Sequence, residues 1–234
     1  MKIIKNEKLI KRNSIIGQWT SILALAVLGG GMYMSFANPA NTQLVTYSII
    51  ALVVGFILTQ VGMYMGNRWG RSPRPDEKID AGLKGLPGDY TLYHFVTPAS
   101  HLLVGPAGVW TLLPYRQRGV VTYTKNRWRI GNGGFLQAYM SIFGQEGIGR
   151  PDLEAESEAV AAKKFLAKKM AESSVPEVKP LLVFLNDQVE LEPGDSPIPA
   201  MKLKQLKNFL REESKNRKLS GLQIQQVNAA LGGE

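Results

Sequence analysis

SIIGQWTSILALAVLGGGMYMSF, residues 14–36, and QLVTYSIIALVVGFILTQVGMYMG, residues 43–66, are the stretches whose reading decides the architecture of this chain. No charged side chain occurs between Arg12 and Arg68. A bilayer-spanning helix needs about 20 mostly apolar residues to cross about 30 Å of hydrocarbon, and each run meets that length. The polar segment Ala37 to Thr42, which contains Pro39, separates them, so the expectation is a transmembrane helical hairpin over residues 14–66. A cleaved signal peptide followed by a buried core helix fits less well. The first run exceeds a signal core of roughly 7–15 residues, and no small-residue cleavage site follows it before the second run.

Working outward, Lys2, Lys5, Lys8, Lys11 and Arg12 precede the first run and Arg68, Arg71 and Arg74 follow the second, while the connecting loop has no lysine or arginine. The positive-inside rule then predicts a multi-pass protein of the inner (cytoplasmic) membrane, with the lipid bilayer as partner. Residues 1–13 form a basic cytoplasmic arm in this scheme, and both termini are cytoplasmic. Both runs end in Gly-Met-Tyr-Met followed by a small residue, Gly31 to Ser35 and Gly62 to Gly66. Small residues four apart let helices approach closely, either within the hairpin or in a homo-oligomer. Neither run has the ionisable residue that marks an ion pathway, so the hairpin reads as an anchor rather than a transporter.

Residues 67–75 form a basic linker punctuated by Gly and Pro, and residues 76–234 are long enough for one α/β domain with its own core. The formal charge of +9 suits a lipid-facing or solvated basic surface as well as a nucleic-acid partner. With no cysteine, disulfides, thiolate metal sites and a cysteine nucleophile are excluded. The pattern predicts a helix over Asp76–Leu83 and β-rich runs at Tyr90–Val96, His101–Val104 and Gly108–Leu113. A hairpin follows, Val120–Thr124 and Arg127–Ile130, turning at Lys125 and Asn126. Beyond a Gly-rich connection, Gly131 to Gly149, lies a Pro-led helix, Pro151–Glu172. Its early turns are acidic (Asp152, Glu154, Glu156, Glu158) and its late turns basic. A buried strand over Lys179–Leu185 and helices over Leu203–Glu213 and Ser220–Leu231 complete a mixed sheet with helices on its faces.

The segment Ser100-His-Leu-Leu-Val-Gly-Pro-Ala-Gly-Val-Trp-Thr-Leu-Leu113, with Gly119 after it, resembles the central block of the nuclease-related domain (NERD) family. The resemblance extends over most of Asp76 to Leu231 and implies a restriction-endonuclease-like fold with a PD-(D/E)XK site. In that pattern a metal-binding Asp precedes the histidine, and a Glu-x-Lys pair closes the following strand. Here Ser100 stands for the Asp, Leu113 for the Glu and Tyr115 for the Lys. Glu77, in the first helix of the domain, is the one acidic equivalent that remains, and Glu154 stands where the later helix often has Gln. A magnesium site needs hard oxygen ligands and leucine offers none, so the resemblance implies a degenerate nuclease with no cofactor and no metal ligands.

The expected function is therefore a non-catalytic scaffold at the cytosolic face, binding a protein or nucleic-acid partner. The alternative is a membrane-tethered, magnesium-dependent nuclease with a relocated site that uses Glu77. Arg116, Arg118, Lys125, Arg127 and Arg129 are the candidate nucleic-acid contacts. On a strand, Arg127 and Arg129 share one face and Trp128 takes the other. His94 and His101 match no metal spacing, and His101 reads as a satisfied structural imidazole. Gly131-Asn-Gly-Gly134 lacks the context of a phosphate loop, and Ser100 and Ser141 have no assignable triad partners.

Overall fold

The computed structural model describes residues 1–37, 39–131, 148–171, 174–216 and 218–232. The chain divides into two units: Asn6–Arg74, and an α/β unit made of Met1–Lys5 together with Pro75–Glu234. The Gly131–Gly149 connection, the Gly134 end of the glycine cluster and Ser141 lie wholly or largely outside the described residues.

The first unit is a pair of long apolar helices, α1 (Glu7–Ala37) and α2 (Thr42–Met65), extended by one π-helical turn at Gly66–Gly70. The start of each is set by an asparagine. Asn6 Oδ1 accepts from the Leu9 amide at 3.1 Å, and Asn41 Oδ1 accepts from those of Gln43 and Leu44 at 3.0 and 3.3 Å. The buried positions of α1 are Ile10, Gly17, Ala24 and Gly31, and those of α2 are Ser48, Gly55 and Gly62. A repeat of seven residues keeps one narrow seam facing its partner along the whole pair. The seam is tight because it has almost no side chains. A Cβ on Gly17 would lie 2.7 Å from Met65 Cβ, one on Gly55 2.5 Å from Leu28 Cδ2, and one on Gly62 2.5 Å from Ser21 Oγ. Gly31 and Gly62, which open the two Gly-Met-Tyr-Met repeats, thus serve packing within the hairpin.

In the α/β unit six strands form a mixed sheet in the order β1-β2-β3-β4-β7-β9. They are β1 (Lys2–Lys5), β2 (Thr91–His94), β3 (His101–Gly105), β4 (Gly108–Tyr115), β7 (Val178–Phe184) and β9 (Ala200–Lys202). The hairpin β5 (Gly119–Thr124) and β6 (Arg127–Gly131) joins β8 (Val189–Glu192) in a second, three-stranded sheet. Lys125 and Asn126 both have positive φ, 51° and 56°, the backbone that a two-residue hairpin turn demands.

Among the described residues, four helices cover the large sheet. Ile79 and Leu83 of α3 (Pro75–Leu83) and Leu206 and Leu210 of α5 (Leu203–Lys215) pack on Leu92, Leu103, Trp110, Leu112, Leu181 and Val183. On the other face, Ala159, Ala162 and Leu166 of α4 (Pro151–Ala167) and Ile224 and Val227 of α6 (Gly221–Ala230) meet Tyr93, Leu102, Val104 and Val109. The strand residues alternate between the two clusters, as the two-residue period of a sheet buried on both sides requires. Leu102, Val104, Val109, Leu112, Leu182 and Phe184 are all buried. The mixed α/β architecture and its core strands thus agree with the sequence.

The structure departs from the sequence reading at both ends of elements. Residues 1–13 are not a separate arm. Lys2–Lys5 is a strand paired parallel to β2, with Lys2 opposite Thr91 and Lys5 opposite His94, and α1 begins at Glu7. Four residues carry too little pattern to announce a strand, and only the edge of β2 makes one of them. The Pro-led helix stops at Ala167, while its expected end at Glu172 lies outside the described residues. Strands β8 and β9 were likewise too short to be legible.

Candidate functional site

Ser100, Leu113, Tyr115 and Glu154, four of the positions that the resemblance singles out, gather on the face of the large sheet covered by α4. Leu113 and Tyr115 are two residues apart on β4, so they point to the same side, opposite Leu182 and Phe184 of β7. Helix α4 lies on this side through Ala155, Ala159 and Ala162, whose small side chains bring its backbone close to the strands. Glu154 and Glu158, one turn apart, flank that alanine seam.

Each glutamate meets a residue standing where a catalytic group is expected. Tyr115 Oη donates to Glu154 Oε2 at 2.8 Å. Ser100 donates twice to Glu158, from Oγ to Oε1 at 2.8 Å and from its backbone amide to Oε2 at 3.2 Å. Burial raises the Tyr115 phenol well above its ordinary value; its bond to Glu154 and the charges of Glu154, Glu158 and Asp152 raise it further. It is a fixed neutral donor at any physiological pH. The Asp152 carboxyl is held below its ordinary value by a hydrogen bond from Arg150, which lies 2.8 Å away. Leu113 packs among apolar neighbours of the smaller sheet's core.

Two carboxylates therefore converge beside Ser100 and Tyr115, and sequence reasoning missed one of them. Glu158 reads as one of four helix-dipole acids. A signal was present, since Glu154 and Glu158 are spaced to share a face with Ala155 and Ala159. Glu77 is half-buried on α3, whose helix covers the opposite face. Its neighbours Asp76 and Asp80 are the acids that turn to the sheet. Lys5 Nζ lies 3.0 Å from Asp76 Oδ2 and 2.5 Å from Asp80 Oδ2. Asp80 Oδ1 is 2.9 Å from His94 Nε2, and His94 Nδ1 is 2.6 Å from His101 Nδ1, so one imidazole nitrogen donates and the other accepts. Burial pushes the Asp80 carboxyl up, but the hydrogen bonds and charge of His94 and Lys5 prevail and leave it low. This chain of buried and half-buried groups ties β1, α3, β2 and β3 together and gives both histidines structural partners.

The donor set suits magnesium poorly. Ser100 and Tyr115 have neutral oxygens in place of the charged ones that magnesium favours, and each glutamate already accepts a hydrogen bond from one of them. Among the described residues no three of His, Cys, Asp and Glu are grouped to hold a metal ion.

The basic candidates cluster around the second sheet. Lys125, Arg127 and Arg129 are exposed, as is Arg118, whereas Arg116 is half-buried. Trp128 points inward against Phe184, with ring centroids 6.0 Å apart, so cation and aromatic do face opposite ways. Thr122 pairs with Arg129 on one side and Glu192 on the other, and Glu190 pairs with Val120. Paired residues share a face, so the exposed surface carrying Arg127 and Arg129 also carries Glu190 and Glu192. No family model, curated protein or solved structure matches the chain.

Proposed function

We propose that this protein is a membrane-anchored, non-catalytic binding module whose α/β domain is a nuclease-related domain of restriction-endonuclease-like type without nuclease chemistry. The observation that carries this reading is the replacement of the metal-binding pattern by internal hydrogen bonds: Ser100 and Tyr115 donate to Glu158 and Glu154. Neutral side chains stand at positions 100, 113 and 115, where the pattern has two carboxylates and a lysine, so a metal would have fewer charged ligands and an attacking water no lysine to assist it.

Anchoring is supported by the hairpin itself. Both helices are long and apolar enough to cross a bilayer, and only 11% of the most apolar window of each is buried within the chain, so neither is a core helix of this fold. The side chains of Ile15, Trp19, Ile22, Leu23, Leu25, Ile49, Ile50 and Val53 are turned outward. A second support is topological. Because β1 precedes the hairpin and pairs with β2 after it, N-terminus and domain belong on one side of the bilayer, and the basic flanks make that side the cytoplasm.

Of the two partner classes, the surface favours protein over nucleic acid. Phosphate binding wants a stripe of one sign, whereas the Arg127 and Arg129 face is interrupted by Glu190 and Glu192. The tethered-nuclease alternative draws on the convergence of Glu154 and Glu158. To decide, the full chain in detergent is incubated with DNA and RNA in magnesium and in manganese. The expected result is no cleavage; metal-dependent cleavage abolished by Glu158→Gln or by Glu77→Ala would overturn the non-catalytic reading. The assay needs the full chain, because a fragment starting at Arg68 lacks β1.

A further inference from the structure

The hairpin has a cleft of about 440 Å³ at the end where α1 starts and α2 stops, lined by Ser14, Gly17, Gln18, Ser21, Ile22, Gly62, Met63, Gly66, Gly70 and Arg71. Its chemistry is unlike the rest of the hairpin. Ser14, Gln18 and Ser21 form a polar strip on α1, glycines of α2 and the π turn leave the opposite wall open, Ile22 and Met63 are apolar, and Arg71 brings a guanidinium. Ser21 Oγ donates to Gly17 O at 2.9 Å, and its own lone pairs stay available to the cleft.

The register fixes the depth of the cleft. Gly17 lies against Met65, Ser21 against Gly62 and Leu28 against Gly55, so residue numbers facing each other across the antiparallel pair add to about 82 or 83. Arg12 and Lys11 are then level with Arg71. Exposed Lys8, Lys11 and Arg12 on the first turns of α1, with half-buried Arg68 and exposed Arg71 beyond α2, form a basic collar, with Glu7 as the one acid between Asn6 and Arg74. At the same end Arg68 donates to Tyr64 Oη at 2.9 Å and stands 5.0 Å over the Trp69 ring, the aromatic pairing typical of a headgroup layer. By this register the Arg71 cation is outermost, the polar wall of Ser14, Gln18 and Ser21 comes next and Ile22 is deepest, the order in which a phospholipid presents phosphate, glycerol and acyl chain.

We propose that this cleft binds the phosphate headgroup of an anionic phospholipid. Arg71 is the phosphate ligand, Ser14 and Gln18 donate to headgroup oxygens, and the acyl chain runs past Ile22 and Met63. Basic pockets between helices at the cytoplasmic surface are suited to this because low local dielectric strengthens the ion pair while the collar raises the local concentration of anionic lipid. The proposal rests on the membrane-anchor reading above.

The test uses the full chain purified in mild detergent. Retention of phosphatidylglycerol, phosphatidylcholine and inorganic phosphate is measured by native mass spectrometry and by competition. Phosphatidylglycerol should be retained over phosphatidylcholine. Arg71→Gln should weaken its binding about tenfold, the effect of one charge-assisted hydrogen-bonding partner. Gln18→Leu should weaken it without changing net charge, and Lys8→Gln, which is in the collar but outside the cleft, should change it little. Equal losses in Arg71→Gln and Lys8→Gln would reduce the site to diffuse surface attraction and overturn the proposal. So would equal retention of phosphatidylcholine, or displacement of the lipid by inorganic phosphate at comparable concentration, which would make the ligand a free anion. Release of the chain from membranes by alkaline carbonate would defeat the anchor as well. A carbonate-resistant chain with no lipid preference would defeat the lipid site alone.

Discussion

Tyr115 and Ser100 are informative because each donates a hydrogen bond to a glutamate of α4, Glu154 and Glu158. Tyr115→Phe should therefore destabilise the domain by about 0.5–1.5 kcal/mol, the cost of a lost bond from a buried phenol to an exposed carboxylate, as read by denaturant titration. Ser100→Asp should be worse, since its carboxylate would stand within hydrogen-bond distance of Glu158. The expected signature is a lowered Tm at neutral pH that recovers on acidification, when the pair can share a proton. A Tm unchanged by Ser100→Asp would mean that Glu158 does not face that position in solution. Further along the sheet, Val104 is fully buried, and Val104→Asp should abolish cooperative unfolding of the domain by burying an unpaired charge.

At the scale of elements, β1 is held by an ion-pair chain as well as by its ladder. The folded Asp80 carboxyl lies below its ordinary value of 3.8, so its contribution is present above that pH and is lost as pH falls through the lower folded value. Lys5 is raised above 10.5 by its bonds to Asp80 and Asp76 against the opposing effect of burial; its contribution is present below 10.5 and lost as pH rises through the higher folded value. Between those limits both contribute. Lys5→Met should cost roughly 1.5–3 kcal/mol near pH 7, because it removes a charge-assisted hydrogen bond to the buried Asp76 carboxylate. It should also flatten the acid limb of the Tm profile; a limb as steep as that of the unmodified chain would assign the acid sensitivity elsewhere. In the hairpin, Gly55→Leu and Gly62→Leu should separate the helices, because even a Cβ there meets Leu28 or Ser21 at 2.5 Å. Gly30→Leu, with open space around it, should not. Disulfide trapping between cysteines introduced at Ala24 and Leu58 reports the difference cleanly, since the chain has no cysteine of its own.

For the whole molecule the consequence of β1 is that the hairpin is an insertion between two neighbouring strands of one sheet. A reporter that is active only when exported should stay silent when fused at either end, and activity at the C-terminal end would contradict the topology. Charge alone would place the N-terminus on the cytosolic side through Lys2 to Arg12. The fold reassigns two of those charges, because Lys2 and Lys5 belong to the sheet and Lys5 is paired with Asp76 and Asp80.

By itself the sequence determined what depends on local pattern. Long uncharged runs mark the two apolar helices because backbone and side chains there satisfy themselves without water, and alternating or unbroken apolar runs mark β2, β3, β4 and β7 because strand faces repeat every two residues. Lys125-Asn126 announced its turn through the residue types that tolerate positive φ. Tertiary structure alone decided what depends on neighbours far along the chain. Lys2–Lys5 becomes a strand only because the edge of β2 satisfies its backbone. Glu158 becomes part of the candidate site only because an alanine seam brings α4 down onto β4. The exposed arginines of β6 share their surface with Glu190 and Glu192 only because β8 pairs with β5. Such contacts join residues with no periodic relation in sequence, so their energetics exist only once the chain has folded.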